Sequence, residues 1–400
     1  MGSDAEIENE DLIEVEDELT EAQKPNKTDG EIEDEYNNLS LRVIYQSNNF
    51  FLPQINDLIK GKEVINLRPE YQRRLRWPKK KRSKLIESLL LNIPIPPIFL
   101  YESDLARYEV MDGQQRLNAI HDYFENNFPL FGLEELSFLN GKRYNNLPPK
   151  VRRGLDRASI SAIVLLRETK SDQSDPFIVR RYVFERLNTG GESLNPQEIR
   201  NSLFRGGFND LVVKLARNNG FCKIFGIPEY TGTDESEYYE NPVRQQNALY
   251  RSMGDCQIIL RFFALLDDEY IKGSMRTILD NCMKRNLKTS PAKLSEYEST
   301  FNALIDACSR IFKGQPFFLP PDEKGKRRIS IALFDACMVA IYRRRAHLNR
   351  FIEKALQIHT AVEDVLRTDL ELLTGKANTA QSIKDRINAI GNILDATLTK

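Results

Sequence analysis

Hydrophobic spacing changes character near residue 207, and this constrains the fold more than any other feature of the chain. Before that point, short apolar runs of strand length alternate with segments of helical period; beyond it, helical period dominates. Val64-Ile65-Asn66-Leu67 reads as a short strand. Pro78 opens a helix in which Leu85, Ile86, Leu89 and Leu90 recur at three- and four-residue spacing. Ile93-Pro94-Ile95-Pro96-Pro97 cannot be helical, because its prolines remove donors and fix φ. Strands follow at Ile98-Phe99-Leu100-Tyr101 and Tyr108-Glu109-Val110-Met111, and Asp112-Gly113 turns the second into a helix reaching about Phe124. Residues 160–166 have the length and apolarity of a buried strand, and helices are expected over 177–187 and from Pro196. Later helices are expected over 208–218, 243–270, 274–284, 293–312, 328–357, 360–373 and 379–398. The pattern predicts an α+β class: a small mixed-sheet domain over 39–206, then an all-helical domain over 207–400.

Charge divides the chain differently. Residues 1–38 hold fifteen carboxylates against Lys24 and Lys27, a net of −13, and the remaining 55 basic and 43 acidic residues leave a body of +12. Such a body suits anionic partners, and the acidic segment has too few apolar residues to pack alone, so it is expected to be a disordered tail. It either solvates the chain or folds back on the basic body, where Ile13, Val15 and Leu19 supply a few anchors. No apolar run approaches the roughly 20 residues of a membrane span. Five cysteines, widely spaced and without a CxxC pair, argue for reduced thiols. The expectation is a cytoplasmic protein with no membrane partner.

Three constellations carry candidate chemistry. In Val110-Met111-Asp112-Gly113-Gln114-Gln115-Arg116-Leu117 a strand ends, a glycine turns, and a helix begins with polar side chains. A helix start offers outward N–H groups and the positive dipole end, which is an anion site in the making. Arg116 adds a donor fork suited to phosphate, Gln114 and Gln115 can donate or orient a water, and Asp112 can hold Mg²⁺ or polarise a water. A capped helix accounts for the same residues, with Asp112 as cap and Gln115 at capping-box spacing. The second constellation, Arg68-Pro69-Glu70-Tyr71-Gln72-Arg73-Arg74-Leu75-Arg76-Trp77-Pro78, holds the only tryptophan and runs on through Lys79, Lys80, Lys81 and Arg82. It suits a phosphate or nucleic-acid contact, against a solvated lysine face with Trp77 as a core anchor. The third, Phe184-Glu185-Arg186-Leu187-Asn188-Thr189-Gly190-Gly191-Glu192-Ser193-Leu194-Asn195-Pro196-Gln197-Glu198, pairs glycines that permit a nest of N–H groups with a helix capped by Ser193 or Asn195.

Several site classes are absent from the sequence. There is no GxxxxGK[ST], no GxSxG, and His121, His347 and His359 form neither an HExxH site nor the pairs of an HNH-type nuclease.

Together, in this order, the three constellations resemble the family that forms the N-terminal, GmrS-like part of GmrSD-type modification-dependent restriction systems. The residues that carry the likeness are Tyr71-Gln72-Arg73 with Trp77, the DGQQR run from Asp112 to Arg116, and the Asn188 to Glu198 segment. It covers about residues 45–205. The resemblance implies a ParB/sulfiredoxin-like fold, with Gln72, Arg73, Gly113, Gln114, Gln115, Arg116, Asn188, Thr189, Gly190 and Gly191 around a nucleoside triphosphate. Asp112 and Asn188 would hold its Mg²⁺, and Asp112, Gln115 and Arg116 would serve turnover. Leu187 stands where the ParB box has a glutamate. The implied role is an NTP-binding and hydrolysing sensor in anti-phage defence, acting with DNA, with an effector nuclease or other defence subunit, and as a homo-oligomer. The alternatives are a nucleotide-dependent DNA clamp without turnover and a protein–protein regulator.

Overall fold

The computed structural model describes residues 6–7, 28–37, 43–61, 64–67, 77–166, 176–187, 195–204, 206–229, 241–374 and 379–399. The chain divides into two compact units, Asn26–Leu194 and Asn195–Lys400, the latter together with Met1–Pro25. Elements are numbered in chain order, beginning in the acidic segment with strand β1 (Glu6–Ile7) and helix α1 (Asp29–Asn37). Within that segment the described residues 6–7 and 29–37 are regular. Thr28 and Glu31 close the start of α1, the Thr28 amide donating to Glu31 Oε2 at 2.8 Å.

The α+β unit is built on five strands: β2 (Tyr45–Phe51), β3 (Ile65–Asn66), β4 (Ile98–Asp104), β5 (Arg107–Asp112) and β6 (Ser159–Leu165). Their order is β2-β6-β4-β5-β3, with β2/β6 and β4/β5 antiparallel and β4/β6 and β3/β5 parallel. This is a mixed sheet. Parallel pairs need crossovers, and helices lie in both: α3 (Lys79–Leu90) between β3 and β5, and α4 (Gln114–Phe124) and α5 (Pro149–Asp156) between β4 and β6. Helix α2 (Leu52–Lys60) joins β2 to β3, and α6 (Pro176–Leu187) follows β6.

Alternation along β6 sends Ile160, Ala162 and Val164 inward to meet Leu52 and Ile55 of α2, Ile86 and Leu89 of α3, and Leu117 and Ile120 of α4. The helix predicted to about Phe124 ends there, and the prolines at 94, 96 and 97 keep 93–97 extended before β4. Strand β2 and helix α2 escaped the sequence reading. β2 is an exposed edge strand of sequence YQSNNFF, whose polar residues lack the alternation that marks a half-buried strand.

The second unit is helical, from α7 (Pro196–Leu203) onward, and also holds a short strand β7 (Arg328–Ile329) that pairs in parallel with β1, Glu6 opposite Arg328. Aromatic rings fill its core, with Phe225, Phe317 and Phe334 packed against one another and Phe262, Phe263 and Phe301 forming a second group. The long helix expected over 243–270 is broken into Pro242–Gln246, Ala248–Arg251 and Gly254–Ala264. The cause is local. Asn241 and Asn247 each accept amides of the following turn, and Met253 lies at φ 55° before Gly254, so each restarts a helix. A buried ion pair joins Gly254–Ala264 to Ile331–Arg343, with Arg261 Nε 3.0 Å from Asp335 Oδ2.

Candidate functional site

The DGQQR run occupies the junction of β5 and α4. β5 ends on Asp112, Gly113 lies in the left-handed region at φ 91°, and α4 begins at Gln114. Glycine is required there twice over. An L side chain is strained at that φ, and a Cβ on Gly113 would stand 2.4 Å from Ile98 Cγ2 and 2.9 Å from Ile98 Cβ. Ile98 is fully buried at the start of β4 and cannot step aside. The close approach lets the chain leave the sheet and enter the helix in a single residue, with the first-turn amides at the end of the strand.

Asp112 does not cap α4. The residue preceding the helix is Gly113, no side chain caps it, and Asp112 Oδ2 instead accepts from Arg116 Nη2 at 2.7 Å. The expectation of an Asp112 cap is thereby corrected: as the last residue of β5, Asp112 directs its carboxylate to a partner four residues on. Arg116 Nη1 donates to the carbonyls of Pro97, at 3.1 Å, and Pro96. A proline carbonyl has no companion N–H in its own residue, and the extended 93–97 segment needs such a donor. Arg116 is thus a clasp with three acceptors, its side chain 12% exposed against 36% for Asp112. Burial lowers the Arg116 guanidinium from its ordinary value, and the neighbouring Asp112 carboxylate works the other way.

Gln115 Oε1 accepts the backbone N–H of Trp77 at 3.1 Å. Through this bond the structure joins the DGQQR run to the tryptophan of the second constellation. Trp77 is part-buried against the core of the unit, as an anchor would be, and carries Lys81 Nζ 4.5 Å from its ring centroid. Gln72 and Arg73 lie outside the described residues, as do Asn188, Thr189, Gly190 and Gly191. Helix α6, which ends at Leu187, packs against β5, the strand that ends in Asp112.

Downstream of that segment, Asn195 is the cap. Its Oδ1 accepts from the amides of Gln197 and Glu198, both at 3.0 Å, and Glu198 Oε2 accepts from the Asn195 amide at 2.7 Å. The Asn-Pro-Gln-Glu run is a reciprocal capping box with proline in the first turn. Arg200 of α7 then pairs with Asp280 at 2.7 Å, both side chains buried.

Sequence reasoning did not find the acceptors of Arg116. Their signal was the Ile-Pro-Pro run before β4, which was read only as a helix breaker. Among the described residues no group of three His, Cys, Asp or Glu could hold a metal, and no helix is long and apolar enough to cross a membrane.

Residues 55–205 match the family described as GmrSD restriction endonuclease, N-terminal domain. That span is similar to a GmrSD N-terminal domain. No curated protein and no solved structure matches the chain. The matched span opens within α2 and includes all three constellations together with the capping box of α7. A GmrSD N-terminal domain points to a component of a modification-dependent restriction system.

Proposed function

We propose that the GmrSD-like domain binds a nucleoside triphosphate and its Mg²⁺ at the start of α4. In this reading the nucleotide state governs a restriction-type response carried out with DNA and a partner effector. The observation that carries the reading is the Gly113 cradle, where a Cβ would collide with Ile98 and the absence of one brings a helix start to a strand end. Phosphate oxygens need donors already oriented toward them, and the first-turn amides of a helix are such donors, aided by the dipole. An eleven-residue helix presents that dipole in full.

The donor set fits a metal that arrives with the nucleotide. Mg²⁺ commonly takes one or two carboxylates and completes its shell with phosphate oxygens and water. Asp112 offers one carboxylate, oriented by Arg116, and nothing in the described residues builds a separate metal cage. Bound there, Mg²⁺ would neutralise charge between the phosphates. Arg116 acts chiefly as a positioning residue: it holds the Asp112 carboxylate and the 96–97 carbonyls, and so the floor on which the nucleotide would rest.

A second reading, a nucleotide-dependent clamp with negligible turnover, is favoured by Leu187 at the end of α6, where the ParB-type box would bring a glutamate. Equilibrium binding of ATP, GTP, CTP and UTP with Mg²⁺, followed by phosphate release with and without DNA, separates the two. Binding of one nucleotide that weakens in Asp112→Asn supports the site, and sustained release makes the protein an NTPase. Failure of all four nucleotides to bind the folded chain would overturn both readings.

A further inference from the structure

Helix α3 begins Lys79-Lys80-Lys81-Arg82 with no acidic residue in its first turn. Cations at the positive end of a helix dipole repel it and one another, so this arrangement works against the fold. Two other cations of the helix are internally matched. Arg82 is buried against Asp122 at 3.1 Å with its guanidinium over Phe128, and Lys84 Nζ lies 2.5 Å from Glu134. Lys79, Lys80 and Lys81 are exposed, and no carboxylate among the described residues pairs with them. Glu134, the acid that Lys80 influences, is the one already held by Lys84.

Neighbouring segments support two of the three lysines. The Phe131 amide donates to Ser83 Oγ at 2.9 Å, and Gly132, at φ +66°, passes so close that a Cβ would stand 3.2 Å from Lys80 Cγ. Lys81 rests its ammonium on the Trp77 ring. Here three like charges are grouped at a helix start, with Lys80 packed against Gly132 and Lys81 over Trp77, and no acid among the described residues pairs with them.

We infer that the lysine end of α3 is a contact for the phosphodiester backbone of duplex DNA. The inference rests on the DNA-partner part of the reading above, and it is independent of the nucleotide. Charge complementarity chooses the occupant: a backbone presents a row of phosphates, each suited to an ammonium group, and the first-turn amides of α3 add donors without reading sequence.

The test is fluorescence anisotropy of a labelled duplex with the full chain, over a salt series from about 50 to 250 mM. The triple variant Lys79→Gln, Lys80→Gln, Lys81→Gln is set against a charge-matched control, Lys288→Gln, Lys313→Gln, Lys324→Gln, with circular dichroism confirming that both fold. Each lost phosphate contact lowers the slope of log K against log salt by about 0.9, so the α3 triple should lower it by roughly 2 to 3 units, and the control should not. Unchanged slope and affinity in the α3 triple would overturn the inference. So would an equal loss in the control, or a wild-type chain that binds no duplex at low salt. Nucleotide binding measured on the same preparations keeps the two claims apart. Lysine-dependent DNA binding without nucleotide leaves this contact standing and removes the nucleotide site; nucleotide binding with no effect of the lysines does the reverse.

Discussion

Replacing Gly113 by alanine is the sharpest perturbation the candidate site allows, because two independent penalties meet at one atom. Holding an L-residue in the left-handed region costs about 1–2 kcal/mol. The new Cβ would also lie 2.4 Å from Ile98 Cγ2, in a fully buried position where overpacking typically costs about 1–3 kcal/mol. Gly113→Ala should therefore destabilise the α+β unit by about 2–5 kcal/mol. Trp77 is the only tryptophan and packs against the core of that unit, so its fluorescence reports urea unfolding there. With a slope of about 2 kcal/mol per molar, the midpoint should fall by roughly 1–2.5 M at unchanged slope.

A second background separates strain from collision. Ile98→Ala removes the contact with Cγ2 and keeps the one with Cβ, so Gly113→Ala should cost less in that background than in the wild type, by a part of the about 1–3 kcal/mol of overpacking. Equal cost in both backgrounds would show that the contact with Cγ2 is unimportant. A wild-type cost below about 1 kcal/mol would refute both halves of the argument.

Other consequences are separately measurable. Asp335→Ala removes a carboxylate partner of the buried Arg261 and should cost about 3–5 kcal/mol, seen as a lower unfolding midpoint by circular dichroism. Asn195→Ala removes the acceptor of two amides and should cost about 1 kcal/mol, with Asn195→Asp restoring most of it; equal losses in both would exclude the cap as the cause. Burial pushes the Cys282 and Cys337 thiols up to about 12 and Cys308 well above its usual value. All five cysteines are buried, so a thiol reagent at about pH 8 should find none in the native chain and all five in denaturant. Rapid native labelling would contradict the packing.

What the sequence disclosed, and what it hid, follows from the range of the forces involved. Local forces were legible. The apolar spacing of Leu85, Ile86 and Leu89 marked α3, and Asp112-Gly113 marked the start of α4 within a residue or two. Strand β2 was hidden because its partner β6 lies more than a hundred residues away and its own residues are mostly polar, so only tertiary pairing makes it a strand. The helix breaks near Asn247 and Met253 were hidden for the opposite reason: one local event, a side-chain bond to a backbone amide at Asn247 and a left-handed residue at Met253, outweighs a helical period that continues across it. Within the candidate site the residues were legible but their partners were not. Arg116 reads as a free fork in one dimension, and only the sheet brings the Pro96 and Pro97 carbonyls to it.

That clasp changes how the DGQQR run can act. A guanidinium reserved for phosphate would be expected to stand free, whereas Arg116 is nine-tenths buried and engaged with Asp112 and two carbonyls. The charge of the run is therefore nearly balanced before any ligand arrives, and what remains to meet an anion is the helix start itself. An anion approaching the Gln114 amide would be attracted by partial charges fixed in the backbone, which no side-chain rotamer can withdraw. Arg116→Lys distinguishes this arrangement from a phosphate fork. A lysine keeps the charge but cannot span Asp112 and both carbonyls, so the clasp opens while the cation stays. If Arg116 works through the clasp, Arg116→Lys should lose stability and nucleotide binding together, almost as Arg116→Ala does. If it works as a charge on phosphate, the lysine should restore much of the binding that alanine removes. Full rescue of binding by lysine, with the urea midpoint of the alanine variant unchanged, would return Arg116 to the role of direct phosphate ligand.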